Sequence, residues 1–292
     1  MVNLLHVCEI LTHRWHDATE IQVWVPLETL FKFAERNNFD VYRKFSRGRY
    51  RVKLERRIIP VCVISDEKTP DFKFMDISDI HIGHPNFDEK LLREKLQYAI
   101  DNDIKLIFIA GDVFEGIQSE HAPSYYCEQL SQAFNIFKDY PLTYHAINGN
   151  HDYTFEQVGL PNPIQTLSAR LKAEGIDFNF HDVYLMDFVI GGVIKRVMHV
   201  ERQSYNLKRI FTIIKLRQFE YDGWLVNTVG GRLLPVRFFL AGHIHANVQI
   251  YYAKKKIFIS QPGSFIHDYG GIDEDCVNVF TGRVIDQKIF LT

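Results

Sequence analysis

Side chains that can bind a metal ion follow four short apolar runs of the sequence. The motifs are Asp79-Ile80-His81, Gly111-Asp112, Gly149-Asn150-His151-Asp152 and Gly242-His243-Ile244-His245. Carboxylate and amide oxygens and imidazole nitrogens suit divalent ions such as Mn, Fe, Zn or Ni. Several such groups at one place would carry too much uncompensated charge unless cations were bound there. The residue types therefore predict a site for divalent metal.

The number of these side chains favours two ions over one. A single ion takes about four to six ligands, some of them water. The four motifs together offer at least that many protein ligands, so two ions that share a bridging ligand are the simpler interpretation. Asp112 is the natural bridge. Each motif is weak alone, since a lone histidine is more often a surface or core residue, and the prediction depends on the ordered set.

Buried strands would place the motifs at one edge of a sheet. Residues 106–110, 142–147 and 236–241 are short runs rich in β-branched or aromatic residues, and a similar run begins at Phe74. Runs of this kind are typical of buried strands. Ligands of open α/β sheets bind beyond the carboxyl ends of the strands. We therefore expect motifs that are distant in sequence to converge there.

Helical patterns alternate with these strands, which indicates an α/β fold. Three segments carry an apolar stripe with helical spacing: residues 86–102 (Leu92, Leu96, Ala99, Ile100), 123–140 (Tyr126, Leu130, Phe134, Phe137) and 163–175 (Ile164, Leu167, Leu171). Asp88 is a candidate N-cap, and Gly175 suits a helix C-terminus. Beyond Gly192 the pattern is rich in strands.

The ordered set of motifs resembles the calcineurin-like metallophosphoesterase family. The run SQPGSF, residues 260–265, is similar to a turn that follows the last motif in that family. The resemblance covers residues 72–292 and implies a four-layer αββα sandwich with a dinuclear site at the strand ends. The runs SDIHIG, AGDVFEG and GHIH are most similar to the SbcD-like branch of DNA exonucleases. An ATPase partner is an expectation from analogy with that branch alone.

The resemblance implies a role for each motif residue. One ion is expected on Asp79, His81 and His245, the other on Asn150 and His243, with Asp112 as the bridge. Two divalent ions are implied, with Mn as the first expectation and Fe, Zn or Ni as alternatives. His151 is expected to steady a phosphate oxygen or to protonate the leaving alkoxide. Glu115 stands where the family more often has an aspartate that orients this histidine.

A further histidine of the family, bound to the second ion, has no clear motif here. Only His181 and His199 lie between Asp152 and His243. His199 follows the strand-like run GGVIKRVM and is our choice. Alternatively, residues 211–218 (FTIIKLRQ) are the matching strand and the histidine is lost. In that case the second ion would be held weakly, and activity would demand a high metal concentration.

Residues 1–70 do not match the family pattern, and we expect a small N-terminal α+β domain before a catalytic domain at 71–292. The run from Val41 to Arg57 contains eight basic residues and one acidic residue, a net charge of +7, and SRG favours a hairpin turn within it. Its candidate nucleic-acid contacts are Arg43, Lys44, Arg47, Arg49, Arg51 and Lys53. The alternatives are a solvated hairpin whose arginines pair with acidic residues, and a regulatory or oligomerisation module.

Composition limits the remaining classes of protein. The net charge of −2 gives no overall attraction to nucleic acid or membrane. The four cysteines are scattered without a CxxC pair, which predicts reduced thiols in a cytoplasmic protein. No signal peptide or membrane span is expected. Three functions remain open: a phosphodiesterase acting on DNA, a phosphomonoesterase or cyclic-nucleotide phosphodiesterase, and a non-catalytic metal-binding scaffold.

Overall fold

The chain divides into two compact units. The computed structural model describes residues 7, 11, 15–22, 26–36, 39–46, 49–56, 59–65, 72–117, 122–199, 226–230, 232–243, 245, 247–253, 256–266, 280–285 and 288–291. One unit comprises Met1–Ile59 and Arg209–Leu233, and the other comprises Pro60–Lys208 and Leu234–Thr292. None of the helices in the described ranges has the length and apolar character needed to span a membrane.

In its described residues, the first unit contains a three-stranded antiparallel sheet and two helices. Its elements are β1 (His16–Asp17), α1 (Ala18–Gln22), α2 (Leu27–Arg36), β2 (Phe39–Ser46) and β3 (Arg49–Arg56), and its strand order is β1-β3-β2. Val52 and Leu54 are fully buried against apolar residues of the helices, including Leu30. Ser46 pairs with Arg49, so only residues 47–48 separate β2 from β3, and the predicted hairpin is confirmed.

The other elements alternate strands and helices before a strand-rich C-terminal part, as the sequence predicts. They are β4 (Val61–Ser65), β5 (Phe72–Ile77), α3 (Glu89–Asp101), β6 (Leu106–Ala110), α4 (Ala122–Phe137), β7 (Thr143–Ile147), α5 (Thr154–Gln157), α6 (Pro163–Ala173), β8 (Phe178–His181), β9 (Leu185–Ile190), β10 (Val193–His199), β11 (Val226–Val229), β12 (Arg232–Gly242), β13 (Asn247–Tyr252), β14 (Ile257–Pro262), β15 (Phe280–Ile285) and β16 (Lys288–Leu291).

Two mixed sheets form the framework of the second unit. One sheet has the order β16-β15-β5-β6-β7-β8, and β5 to β8 run parallel. The other has the order β13-β14-β12-β10-β9-β4, and β10, β12 and β14 run parallel. Because β4 pairs with β9, this unit begins before the expected boundary at residue 71. Residues 66–71, next to that expected boundary, lie outside the described residues.

An apolar core separates the two sheets. Phe74 and Phe108 of the first sheet meet Phe238 and Phe188 of the second, with ring centroids 5.0 and 4.9 Å apart. Helices cover the other face of the six-stranded sheet, where Leu92, Leu130 and Leu167 are buried in a second core. The described residues thus supply a helical layer and two sheets packed face to face, and the α/β class is confirmed.

The helix termini follow from local side chains. Asp88 precedes α3 and accepts a hydrogen bond from the Leu91 amide, which confirms the predicted N-cap. Gly175 follows α6 with φ +81°, a conformation that glycine adopts without steric cost. One residue of the predicted apolar stripe of α3 differs, because Ile100 lies at the end of the helix and is 39% exposed.

Candidate dinuclear metal site

The predicted ligands lie beyond the carboxyl ends of five strands and come together in the second unit. Asp79 and His81 follow β5, Asp112 follows β6, Asn150 and His151 follow β7, His199 ends β10, and His243 and His245 follow β12. In the parallel part of the first sheet, β5, β6 and β7 point their carboxyl ends in one direction. The pairing of β10 with β12 places His199 directly beside Gly242.

One group of donors consists of Asp79, His81 and His245. A ligand atom of each lies within 4.8 Å of the other two. The Nε2 atoms of His81 and His245 are 3.1 Å apart, and His245 Nε2 is 3.6 Å from Asp79 Oδ1. The main-chain N–H of His243 donates to both carboxylate oxygens of Asp79, which fixes that side chain.

The other group consists of Asp112, His199 and His243, with Asn150 between the two rings. The Asn150 Oδ1 atom is 3.0 Å from His199 Nε2 and 2.8 Å from His243 Nδ1. His199 is therefore placed with the other predicted ligands, at the end of β10. The alternative prediction placed a strand at residues 211–218, and these residues lie outside the described part of the chain.

Asp112 belongs to the second group and also approaches the first. Its Oδ2 atom is 3.2 Å from His199 Nε2 and 3.9 Å from His81 Nε2. Its Oδ1 atom accepts a hydrogen bond from the main-chain N–H of His151. The position agrees with the bridging role that the sequence predicts for this residue.

Neighbouring acceptors determine which ring nitrogen of two histidines faces the centre. The Nδ1 atom of His199 is 2.7 Å from the carbonyl oxygen of Ala110, so Nδ1 carries the donated hydrogen and Nε2 faces Asp112. The Nδ1 atom of His81 is 2.8 Å from Glu115 Oε2, so its Nε2 atom faces the site. Such partners are typical of metal-binding histidines, because they fix the ring orientation and raise the basicity of the ligand nitrogen.

Left-handed backbone conformations are concentrated in the motifs. Asp79, His81, Asp112 and His243 have φ of 50°, 54°, 49° and 84°, and they are four of the six non-glycine residues with positive φ in the described part of the chain. Each such conformation costs about 1–3 kcal/mol and tends to occur at functional sites. The hydrogen bonds of the motif loops hold these residues in conformations that direct their side chains inward.

Charge at the centre couples Asp112 to His199. Burial would raise the pKa of Asp112, but the imidazoles of His199 and His81 outweigh burial and hold that pKa below its usual range. Burial would lower the pKa of His199, but the Asp112 carboxylate raises it to about 9. The positive charge of a protonated His199 thus offsets the negative charge of the buried Asp112 carboxylate. A bound cation would take over that role, so this donor set fits divalent metal.

Glu115 makes a different contact from the one expected. Its carboxylate lies 2.8 Å from His81 Nδ1 but 4.0 Å from His151 Nδ1. His151 is instead oriented by the main chain, because its Nδ1 donates to the Glu115 carbonyl oxygen at 2.7 Å. The side chain of Glu115 therefore positions a predicted metal ligand, and its backbone positions the predicted catalytic histidine.

Asp152 has a role that the sequence did not predict. It is fully buried, and it accepts hydrogen bonds from the main-chain N–H groups of Gly149, Phe114 and Val113. These bonds tie the loop after β7 to the loop after β6. Burial, together with the nearby charge of Asp112, raises the pKa of Asp152 to about 7. In the sequence, only its position in the run Gly149-Asn150-His151-Asp152 indicated that Asp152 belongs to the site.

The candidate nucleic-acid residues belong to the first unit. Arg49, Arg51 and Lys53 alternate along β3, and the side chain of Arg49 is 67% exposed. Arg49 also lies 3.6 Å from Asp17, an acidic partner within the same unit. The side chains of Arg43 and Lys44, and residue Arg47 as a whole, lie outside the described residues.

Comparison with known proteins identifies the class of this site. The calcineurin-like phosphoesterase family model matches residues 72–247, more than half of the chain. The chain belongs to the calcineurin-like phosphoesterase family, and it is a metal-dependent phosphoesterase, as the sequence predicts. Comparison with curated protein sequences gives no significant match.

Solved structures resemble this chain at low sequence identity. A dimetal phosphatase from Danio rerio is 11% identical, with 76% of this chain and 99% of that chain covered and a TM-score of 0.44. Wild-type Vps29 from Entamoeba histolytica, complexed with Zn²⁺, is 11% identical, with 76% and 97% covered and a TM-score of 0.37. GAP50 from Plasmodium is 11% identical, with 76% and 84% covered and a TM-score of 0.42.

Proposed function

We propose that this phosphoesterase hydrolyses phosphodiester bonds of DNA, with two divalent ions held at the strand ends. Asp79, His81 and His245 would hold one ion, Asn150, His199 and His243 would hold the other, and Asp112 would be shared between them. The support is geometric, since the two groups of donors are separate and Asp112 approaches both. Oxygen and nitrogen donors without sulfur favour Mn first, with Fe, Zn or Ni as alternatives.

The metal pair and the protein have separate tasks. Two divalent ions at these residues would lower the pKa of a water molecule and would neutralise charge on the phosphoryl oxygens. His151 is the residue that moves a proton. Its Nδ1–H is committed to the Glu115 carbonyl, so Nε2 is the atom that contacts a phosphate oxygen or protonates the leaving alkoxide. Glu115 and Ala110 keep His81 and His199 in the required orientation.

One observation supports nucleic acid as the substrate, and that observation is the surface of the β2–β3 hairpin. Phe45 is 74% and Tyr50 is 37% exposed, and the two residues pair directly across the hairpin. Arg49 and Arg51 flank Tyr50 in the sequence of β3, and because side chains alternate along a strand they project from the opposite face of the hairpin. The hairpin thus offers exposed aromatic rings on one face and cationic side chains on the other, and single-stranded nucleic acid uses both kinds of group, because bases stack on rings while cations contact phosphate.

A substrate panel tests the reaction. We expect the Mn²⁺-loaded protein to cleave bis-p-nitrophenyl phosphate and labelled DNA, and to act poorly on p-nitrophenyl phosphate. A comparison of linear with closed circular DNA separates an end-directed exonuclease, the activity of the SbcD-like branch, from an endonuclease. Diester cleavage without degradation of any DNA would overturn the choice of substrate, and preference for the monoester would favour a phosphomonoesterase.

The salt dependence of DNA binding tests the hairpin. Each phosphate contact contributes about −0.9 to the slope of log K against log salt for duplex DNA, and about −0.7 for single strands. Arg49→Ala/Arg51→Ala should therefore make the slope shallower by about 1.4–1.8. The control Lys90→Ala/Lys105→Ala removes the same charge from exposed positions of the second unit. An unchanged slope in the Arg49/Arg51 variant would exclude the hairpin from binding.

A further inference from the structure

A second cluster of metal-binding side chains shares no residue with the candidate dinuclear site. It consists of Cys62 on β4, His145 on β7 and His181 on β8, and one ligand atom of each lies within 4.8 Å of the others. His145 Nδ1 and His181 Nε2 are 3.0 Å apart. Their imidazole rings are nearly parallel, with an interplanar angle of 12°.

The cluster lies between the two sheets of the sandwich. Cys62 packs against the apolar core that separates the sheets, and His145 is only 6% exposed. The ring of His145 stacks on Phe108, and Phe188 contacts both imidazoles with centroids 5.2 Å away. Aromatic side chains of this kind lower the polarity around the three donors, which strengthens their attraction for a bound cation.

We propose that Cys62, His145 and His181 bind one Zn²⁺ that joins the edges of the two sheets. One thiolate and two imidazoles form a softer donor set than the oxygen-containing set at the strand ends, and such sets favour Zn. A tetrahedral Zn²⁺ with Zn–N bonds of about 2.0–2.1 Å places two nitrogen ligands roughly 3.3 Å apart. The observed 3.0 Å needs only a small separation of the rings, and the fourth position remains for water.

The position of the ligands gives the ion a structural task. β4 and β8 are terminal strands of their sheets, and β7 lies next to β8. The ion would connect residues that are distant in sequence across the open side of the sandwich. Binding releases the thiol proton to solvent, and the ring that donates in the His145–His181 hydrogen bond moves its hydrogen to its other nitrogen.

Cobalt substitution provides the test, because a thiolate ligand gives Co²⁺ a charge-transfer absorption in the near ultraviolet that oxygen and nitrogen ligands do not. The variant Cys8→Ser/Cys127→Ser/Cys276→Ser leaves Cys62 as the sole thiol of the four cysteines. We expect this variant to develop, as Co²⁺ is added, an absorption with the intensity of one thiolate-bound ion per chain, and Zn²⁺ to abolish it. Adding Cys62→Ser should remove it, whereas Asp112→Asn should leave it unchanged.

A second measurement tests the proposal even if the triple cysteine variant does not fold. In the otherwise unchanged chain, Zn²⁺ should slow alkylation of Cys62, measured by mass spectrometry, and leave the exposed Cys127 reactive. His181→Gln should weaken this protection by at least about tenfold, since removal of partners that merely orient ligands costs about 10–100-fold. Absence of the charge-transfer absorption in a folded sole-thiol protein, or alkylation of Cys62 independent of Zn²⁺, would overturn the proposal.

Discussion

His151 is more accessible to solvent than His81 and His199, two of the proposed ligands of the strand-end site. Its side chain is 34% exposed, whereas those of His81 and His199 are 1% and 0% exposed. Its ring is oriented by one hydrogen bond to a backbone carbonyl. A buried ring between carboxylates suits metal binding, and a partly exposed ring beside them suits contact with a substrate. This difference separates two tasks within one site.

We predict that His151→Ala lowers kcat by about 10²–10⁴-fold, because general acid–base catalysis is lost. Bound metal, measured by elemental analysis of the purified variant, should stay the same. His84→Ala provides the control, since His84 is also partly exposed, near Glu115, and has no assigned role in catalysis. Loss of metal from the His151 variant would contradict the assignment and make this residue a ligand.

Gly149 is required because Asp112 occupies the space of its missing side chain. A Cβ atom at Gly149 would overlap with the amide nitrogen and the Oδ1 atom of Asp112. We predict that Gly149→Ala moves the proposed bridge and weakens metal binding by at least about tenfold, as loss of ligand orientation does at other sites. Isothermal titration with Mn²⁺ measures this change.

The matched control is Gly159→Ala. A Cβ atom there meets nothing within 4 Å, but φ is +80°. This variant should lose about 1–2 kcal/mol of stability through backbone strain and should keep its metal affinity. Equal metal affinity in the Gly149 and Gly159 variants would show that the close approach to Asp112 is not needed for the site.

At the scale of elements, a buried ion pair links β5 to β10 across the two sheets. The Nζ atom of Lys195 lies 2.6 Å from Asp76 Oδ1, and both side chains are fully buried. The ammonium group is also 4.1 Å from the ring centroid of Phe74. Burial raises the pKa of Asp76 to about 6 even beside this cation. The carboxylate therefore depends on Lys195 for its charged form.

We predict that Lys195→Met costs about 3–5 kcal/mol at neutral pH, because it leaves a buried carboxylate without its cation. The pKa of Asp76 in the folded variant then rises further, above the unfolded value of about 3.9. The folded state binds more protons than the unfolded state above that pH, so the variant loses stability as pH rises. The loss should therefore be smaller at pH 5 than at pH 8.

Urea unfolding at the two pH values measures this difference. The double variant Asp76→Leu/Lys195→Met removes both charges and should recover most of the stability at pH 8, since well-packed apolar residues often replace a buried pair without loss. An equal loss at both pH values in Lys195→Met would mean that Asp76 remains ionised in the folded variant.

At the scale of the whole molecule, metal binding and folding are linked. The proposed ligands come from five strand ends of two sheets, so they are close together in the folded second unit alone. We predict that Mn²⁺ at about 100 times its Kd raises the free energy of unfolding by about 2.7 kcal/mol. Asp112→Asn should remove most of this increment. A urea midpoint that does not respond to Mn²⁺ would contradict the proposed ligand set.

Much of this arrangement could be predicted from local patterns. The apolar run 106–110 is β6, the N-cap Asp88 begins α3, and the basic run folds as the β2–β3 hairpin. These features depend on neighbouring residues, so sequence contains them directly. The ligand motifs were recognisable for a related reason, because each follows a strand and carries its own donor groups.

Other features depend on contacts between residues that are distant in the chain. The carboxylate of Glu115 contacts His81 rather than His151, and Asp152 joins two loops, although both residues were visible in the motifs. Cys62, His145 and His181 share no spacing, and sequence offered no reason to connect them. Their proximity arises from the packing of two sheets face to face, which sets the distances between side chains on different strands and leaves no periodic pattern along the chain.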